Sequence, residues 1–518
     1  MNIKTKILIS ILILSGILRF FLLDSNPPSL DWDEASLGYN GLSLLKTLKD
    51  EYGNFLPLAI RSFNDYKPSF YSYFSVIPIL AFGLNEFSIR FTSAFFGVLT
   101  VLVTFFLCQE IFSKDPKKDK ISLTASFLLA ISPWHLQFSH AAFEANVGLF
   151  WFVLGLAFLL KSFQREAFFP FASLAFGISI FSYHSTRIVV PIFVLGILLY
   201  YHRVFIKKQK KFLIAAGLVA LVFVGLILYT FKMGVGQERF KSTSLFYQED
   251  ITSTQKIKTA LSNYFDHFHP NFLILEGDAI KRHKLPSIAH LYWWELPFLI
   301  FGLFLFLKNP NKLKFFVLFW FLVSPLPSAI SRGSPSAVRA LLFLPTFQIF
   351  VALGLIEGFT IFKEKIKKEN FLKKSALSLL FLFSCLFIAF NIFYYFHMYY
   401  VHTPIEFSQD WQYGYKQLVL KIMPQKDRYQ KIIVTSGYDQ PYIYFLFFGK
   451  YDPKTWVNNG EFYKGFDNFE FRKINWQEDM KLKKTLLVGG PEEIAPTVFF
   501  EQIKFLDGTP AFILAPTR

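Results

Sequence analysis

The stretch FLIAAGLVALVFVGLILYTF, from Phe212 to Phe231, contains no charged residue and no proline. A helix of about 20 apolar residues crosses the roughly 30 Å hydrocarbon core of a bilayer. A second run of this kind extends from Ala376 to Phe396. These two segments predict an integral membrane protein. The composition agrees with this prediction, because 53% of the 518 residues are hydrophobic and 68 of them are Phe.

The hydrophobic pattern predicts a polytopic α-helical protein with about 11 transmembrane helices. The predicted spans are 7–23, 90–112, 120–133, 145–162, 168–183, 187–202, 212–232, 292–307, 314–330, 337–362 and 374–396. We expect the first span to be retained, because no small-x-small cleavage site follows it. The segment 69–83 is short and carries Ser, Tyr and Pro78. We interpret it as a juxtamembrane helix lying in the membrane interface.

The formal net charge of +17 would suggest nucleic-acid binding in a soluble protein. Here the Lys and Arg residues fall mainly in short clusters between apolar segments, such as 114–120, 203–211 and 363–374. This distribution is typical of cytoplasmic loops and indicates no nucleic-acid partner. The two cysteines, Cys108 and Cys385, lie inside apolar segments and predict no disulfide framework.

The charge pattern assigns the polar segments 24–68, 134–144, 233–291 and 331–336 to the outer face of the membrane. Residues 400–518 lack long apolar runs and contain two strand-like segments, 431–436 and 485–490. We therefore predict a transmembrane domain over 1–399 and a small extracytoplasmic α/β domain over 400–518.

The first outer segment opens with the sequence Asp31-Trp32-Asp33-Glu34. A carboxylate at a membrane surface is suited to take a proton from an attacking hydroxyl group. Asp33 and Glu34 are therefore candidate catalytic residues. An alternative of equal weight is that Asp33 is only the N-cap of the following helix.

Four cations on the predicted outer face are candidates for binding a phosphate group: Lys67, Arg90, Arg187 and Arg332. Lysine and arginine hold phosphates through charge-assisted hydrogen bonds. For Lys67 the alternative is a side chain that snorkels at the membrane surface, and for Arg90 it is an anchor to lipid headgroups. For Arg187 the alternative is a polar hairpin that serves solvation alone.

Glu144 lies at the mouth of a predicted span and is a third candidate catalytic carboxylate. His184, Asp278 and His283 lie in outer segments and are candidates for an acceptor or sugar cleft. Histidines at 267 and 269 resemble a metal-binding spacing only weakly, since no third ligand follows from the sequence. We predict neither a metal site nor a cofactor.

The order of these motifs resembles the C-type (GT-C) membrane glycosyltransferases, which include protein O-mannosyltransferases and lipid A aminoarabinose transferases. The matching residues are Asp33-Glu34 after the first span, Lys67-Pro68 before a short apolar segment, and Arg90-Phe91-Thr92-Ser93-Ala94. Ser132-Pro133 then leads into a polar segment with an acidic residue. Two departures are Ser69 in place of a second proline, and Glu144 where an Asp is frequent.

The resemblance implies an inverting glycosyltransferase that takes a hexosyl or pentosyl unit from a polyprenyl-phosphate-linked donor. It implies Asp33 as general base and Lys67 at the donor phosphate. The expected partners are the donor lipid, the membrane, and an acceptor lipid, polysaccharide or protein. The expected location is a bacterial inner membrane with the active site on the extracytoplasmic side.

A transporter or flippase for lipid-linked sugars is the alternative class of protein. Such proteins place ionisable residues near the bilayer midplane and often have repeated halves. In this chain the candidate charges lie at the ends of the predicted spans, which favours the transferase. A non-catalytic membrane scaffold would have no reason to gather carboxylates and cations on one face.

Overall fold

The computed structural model describes residues 1–63, 65–235, 238–249, 251–308, 313–455, 464–494 and 500–517. The chain divides into two compact units. Unit 1 comprises Met1–Phe21, Ser93–Ser139 and Phe143–Met398, and unit 2 comprises Leu22–Thr92, His140–Ala142 and Tyr399–Arg518. The predicted domain boundary near residue 400 thus lies beside a boundary between units. That 400–518 is a separate domain outside the membrane stays a prediction.

Each of the predicted spans overlaps a helix of the structure. These helices are Ile3–Phe20, Glu86–Ile111, Lys118–Ile131, Glu144–Ser162, Phe169–Ile180, Thr186–Tyr200, Lys210–Lys232, Glu295–Lys308, Lys314–Val323, Thr346–Lys368 and Phe371–His397. Among the described residues, five helical segments are long and apolar enough to cross a membrane: Glu86–Ile111, Glu144–Ser162, Lys210–Lys232, Leu341–Lys368 and Phe371–Glu406. The total of eleven transmembrane helices stays a prediction.

The remaining α-helices of the described residues have 16 residues or fewer. They are Trp32–Thr47, Phe70–Phe82, Pro133–His140, His202–Phe205, Glu238–Thr243, Ser253–Asp266, Leu326–Ala329, Thr403–Glu406, Tyr415–Ile422, Pro441–Phe448 and Trp476–Asp479. The segment predicted to form a juxtamembrane helix is therefore helical, over Phe70–Phe82. We call Trp32–Thr47 the first-loop helix.

In unit 1, the helices Glu295–Lys308 and Thr346–Lys368 pack closely through two glycines. A Cβ atom on Gly302 would clash with the backbone of Phe350, and one on Gly354 would clash with the backbone of Phe298. Small residues let helix backbones approach in a membrane, where van der Waals packing stabilises the association.

Unit 2 contains a two-stranded antiparallel sheet formed by β1 (Ala59–Ser62) and β2 (Asp65–Pro68). Ile60 lies opposite Lys67, and Arg61 lies opposite Tyr66. Ile60 is buried, so its strand is held against the body of the unit while the pairing fixes the position of Lys67.

The last part of unit 2 contains a six-stranded mixed sheet. Its strands are β3 (Lys431–Val434), β4 (Gly465–Phe466), β5 (Phe469–Phe471), β6 (Thr485–Gly489), β7 (Glu501–Lys504) and β8 (Pro510–Pro516), in the order β4-β5-β3-β6-β8-β7. The central strand β3 runs parallel to β5 and β6, whereas β8 is antiparallel to β6. The two strands expected from the sequence, near 431 and 485, are both present. Apolar side chains of β3, β6 and β8, including Ile433, Leu487 and Ile513, form a buried cluster.

Candidate functional site

The start of the first-loop helix decides which of its acidic residues are available for chemistry. Asp31 is the N-cap, and its carboxylate accepts a hydrogen bond from the backbone N–H of Glu34 at 2.8 Å. The Glu34 carboxylate in turn accepts from the backbone N–H of Asp31 at 3.2 Å, which completes a capping box. The alternative interpretation of Asp33 as the cap is therefore wrong, because Asp31 occupies that position.

Asp33 forms an ion pair with Lys67 of β2. The Asp33 side chain is 43% exposed, whereas that of Lys67 is 12% exposed. The ammonium group of Lys67 also lies 5.7 Å from the ring centroid of Phe63, within the range of a cation–π interaction. The structure thus brings together the two residues that the sequence predicts as base and phosphate ligand, and it leaves the carboxylate accessible.

Glu34 points elsewhere, because neighbouring residues on a helix do not share a face. Its carboxylate meets the guanidinium of Arg90 in a bidentate pair, with Oε1 to Nε at 2.9 Å and Oε2 to Nη2 at 3.0 Å. The backbone N–H of Ala142 donates to Oε1 at 2.8 Å. Both side chains are almost fully buried. With the bond from Asp31, each Glu34 oxygen accepts two hydrogen bonds, so this carboxylate has no capacity left to act as a base.

Arg90 has no remaining donor for a phosphate. Its other N–H groups donate to the backbone carbonyl oxygens of Leu23, Pro27 and Ser29, at 3.2, 2.8 and 2.6 Å. A guanidinium has five N–H donors, and these three bonds together with the two to Glu34 use all of them. We therefore assign Arg90 a structural role, in which it fixes the segment that precedes the first-loop helix, in place of the predicted phosphate contact.

Sequence reasoning missed Glu51, which follows the first-loop helix and is only 2% exposed. Asn40 holds it from two sides: its amide donates to Oε1 of Glu51 at 3.3 Å, and its Oδ1 accepts from the Glu51 backbone N–H at 3.0 Å. The other carboxyl oxygen, Oε2, is buried and has no hydrogen-bond partner in the described part of the chain. Burial raises the pKa of Glu51 to about 8. The adjacent acidic pair Asp50-Glu51 was the available sequence signal.

The candidates Asp278 and His283 lie in unit 1 and form a buried pair. Nδ1 of His283 lies 2.9 Å from Oδ2 of Asp278, and that oxygen also accepts from the backbone N–H of Ala337 at 2.6 Å. Burial by itself would raise the pKa of Asp278, but the hydrogen bonds from His283, Ile280 and Ala337 hold it at about 2. The pair thus connects the segment 278–283 to the segment around Ala337 through hydrogen bonds. A role in a sugar cleft stays a prediction.

The remaining candidates also lie in unit 1. Glu144 is the first residue of its helix, and Arg187 donates through Nε to the carbonyl oxygen of Ile180 at 3.4 Å. His184 lies in the turn before Arg187, and Arg332 is exposed. Within the described residues, no group of three or more His, Cys, Asp or Glu side chains is arranged to hold a metal ion. The roles predicted for these four residues stay predictions.

Comparisons with known proteins support the resemblance inferred from the motifs. A family model described as dolichyl-phosphate-mannose-protein mannosyltransferase matches residues 66–229. No curated protein sequence matches the chain. The segment matched by the family model begins at Tyr66, directly before Lys67.

Three solved structures are similar in fold. ArnT from Cupriavidus metallidurans bound to undecaprenyl phosphate has a TM-score of 0.57 at 12% identity, over 98% of each chain. The structure of the same ArnT in the apo state has a TM-score of 0.57 at 13% identity, over 99% of this chain and 98% of the ArnT chain. The apo oligosaccharyltransferase of Archaeoglobus fulgidus has a TM-score of 0.50 at 15% identity, over 86% of this chain and 63% of the oligosaccharyltransferase chain.

These similarities agree on one fold, that of the GT-C membrane glycosyltransferases. The chain is an integral membrane protein with this fold. The predicted resemblance is confirmed.

Proposed function

We propose that this GT-C protein transfers a sugar from a polyprenyl-phosphate-linked donor to an acceptor hydroxyl group, on the outer face of the membrane, with inversion at the anomeric carbon. The observation that carries the proposal is the ion pair between the accessible Asp33 and the largely buried Lys67. It puts a carboxylate and a cation side by side, and the reaction needs one of each. The undecaprenyl phosphate bound to the similar ArnT supports the class of donor.

In the absence of donor, Lys67 neutralises Asp33. A donor phosphate that approaches Lys67 competes for the ammonium, since both anions form charge-assisted hydrogen bonds with it. The ammonium then turns toward the phosphate, and the carboxylate of Asp33 is free to accept a proton. Donor binding therefore creates the base at the moment when the substrate is in place.

The transfer is a single displacement. The acceptor oxygen attacks the anomeric carbon and gives its proton to Asp33, while the bond between that carbon and the phosphate oxygen breaks. The electron pair stays on the phosphate oxygen, where Lys67 stabilises the developing charge. The products are the glycosylated acceptor, with inverted configuration, and the polyprenyl phosphate.

The family match and the fold leave the sugar and the acceptor open. The proposed acceptor is a lipid, a polysaccharide or a protein, and the proposed sugar is a hexosyl or pentosyl unit. We propose a bacterial inner membrane as the location, with the pair of Asp33 and Lys67 on the extracytoplasmic side, because this orientation keeps the basic clusters of the chain in the cytoplasm.

The test is transfer of labelled sugar from a panel of polyprenyl-phosphate donors, in membranes with matched amounts of wild-type and Asp33→Asn protein. Asp24→Asn is the control, because Asp24 is an exposed carboxylate in the same loop. We expect Asp33→Asn to lose about 10²–10⁴-fold in rate and Asp24→Asn to match the wild type. Near-normal transfer by Asp33→Asn would exclude Asp33 as the base. Donor that crosses the bilayer without transfer would instead identify a flippase.

A further inference from the structure

Glu51 is a buried carboxyl group that the transfer reaction, as proposed, does not use. It lies in the same unit as Asp33 and Lys67, and Asn40 fixes its backbone and one of its oxygens. The second oxygen is buried with no hydrogen-bond partner among the described residues. An ionised carboxylate in such a position is costly, whereas a neutral carboxyl group is tolerated.

The surroundings of Glu51 come from four elements as well as its own loop. The titratable and charged groups that interact with it are Tyr39 of the first-loop helix, Asp50 and Tyr52 of its loop, Arg61 of β1, Lys67 of β2 and Tyr442 of the helix Pro441–Phe448. The side chains of Tyr52 and Tyr442 interact with each other as well as with Glu51. The guanidinium of Arg61 lies over the ring of Tyr52, 4.7 Å from its centroid.

The charges of these neighbours partly oppose one another. Asp50 disfavours an ionised Glu51, whereas Lys67 and Arg61 favour it. The carboxylate of Asp50 is itself held by the backbone N–H groups of Tyr52 and Asn54, at 3.0 and 2.9 Å. Burial is the largest influence and raises the pKa of Glu51 to about 8. At neutral pH, Glu51 is therefore mostly uncharged.

The electrostatic link between Glu51 and Lys67 has a consequence for donor binding. Lys67 already has one anionic partner in Asp33. A donor phosphate brings a second negative charge, and an ionised Glu51, which interacts electrostatically with Lys67 and Arg61, would add a third. Like charges held close together disfavour ionisation, so the three cannot readily be charged at once.

We propose that Glu51 is a positioning residue that acts through Lys67: its neutral form leaves the ammonium available to the donor phosphate, and its ionised form competes with that phosphate. Donor binding is then coupled to the uptake of a proton by Glu51. This inference rests on the proposed function, since it assigns Lys67 to the donor. Glu51 touches neither reacting atom, and its effect is on donor affinity and not on the chemical step.

The first experiment measures KM for the donor and kcat between about pH 7 and about pH 9, in wild-type, Glu51→Gln and Glu51→Asp protein. A group with a pKa of about 8 whose ionised form excludes the donor raises KM ~10-fold over this interval. We expect this rise in the wild type, with kcat changing far less. Glu51→Gln should show a flat KM, and Glu51→Asp should restore a rise with pH.

Asp452→Asn is the matched control. Asp452 is exposed and pairs with Lys46 of the first-loop helix at 3.1 Å, so its removal changes a charge in the same unit that is not among the influences on the pKa of Glu51. The control should keep the wild-type rise in KM. A Glu51→Gln protein that also keeps this rise would overturn the inference, because the rise in KM would then come from a group other than Glu51. Wild-type protein that transfers no sugar would instead refute the proposed function.

A second measurement does not depend on the folding of a variant. Binding of undecaprenyl phosphate to wild-type protein is followed by calorimetry at about pH 8, in two buffers that differ in ionisation enthalpy. The second pKa of a phosphate monoester is about 6, so the lipid contributes little at this pH. We expect uptake of about half a proton per lipid bound. Binding without proton uptake would overturn the inference.

Discussion

Glu34 and Arg90 form a buried bidentate ion pair, with nitrogen–oxygen distances of 2.9 and 3.0 Å, directly beside the exposed carboxylate of Asp33. Two consecutive acidic residues therefore have separate tasks. Glu34 holds Arg90, which in turn holds the carbonyl oxygens of the preceding segment. Asp33 is left at the surface of the unit, where it meets Lys67.

Replacement of Arg90 should destabilise the protein. Arg90→Lys keeps the charge but loses the planar fork that bonds two carboxylate oxygens and three carbonyls. Breaking a buried pair costs about 3–5 kcal/mol, and we expect a marked fall in Tm in detergent. Lys416→Met is the control, because it removes a partly exposed pair with Glu86 in the same unit and should cost at most about 1 kcal/mol. An Arg90→Lys protein of normal stability with a raised donor KM would favour the phosphate role instead.

Replacement of Lys67 should weaken donor binding. Charge-assisted hydrogen bonds contribute about 1.5–3 kcal/mol, so Lys67→Met should raise the donor KM by roughly 10- to 100-fold, and kcat should fall as well because the leaving phosphate loses its counter-charge. Initial rates over a range of donor concentrations separate the two effects. A change in acceptor KM alone would contradict the assignment.

The capping residue Asp31 and the proposed base Asp33 can be distinguished by one further variant. Asp31→Ala removes the N-cap of the first-loop helix, at a cost of about 1 kcal/mol. We expect a modest fall in Tm and a transfer rate per folded molecule close to that of the wild type. Asp33→Asn should show the opposite result, with normal Tm and lost transfer. If Asp31→Ala abolished transfer while the protein stayed folded, the roles of the two aspartates would have to be exchanged.

The stability of the protein should depend on pH through Glu51. Its pKa in the folded state, about 8, is higher than the ordinary value of 4.5. A group of this kind stabilises the fold below its unfolded pKa and loses that contribution as pH rises through the folded pKa, by ~1.4 kcal/mol per unit of pKa difference. Tm should therefore fall between about pH 5 and about pH 8. Glu51→Gln should remove most of this slope, and an unchanged slope would show that another group is responsible.

Several features of the site followed from local sequence. The Asp33-Glu34 motif after the first apolar run, and Lys67 before a short apolar segment, were sufficient to predict the resemblance to the GT-C fold. The short apolar segment 69–83 was also predicted to be a helix, which the structure has at Phe70–Phe82. These predictions succeeded because each depends on residues that are close together in the chain or on an order of elements that the family shares.

Other features required the tertiary structure. The sequence by itself determined that this is a polytopic membrane protein, because long uncharged apolar runs have few other solutions. Only the fold decided that Arg90 pairs with Glu34. The five hydrogen bonds of its guanidinium go to four residues that lie up to 67 positions away in the sequence. The fold also decided that Glu51 is buried and interacts electrostatically with Lys67. The physical reason is that the role of a charged side chain depends on its remaining hydrogen-bond capacity and its exposure to water, and both are set by residues distant in sequence.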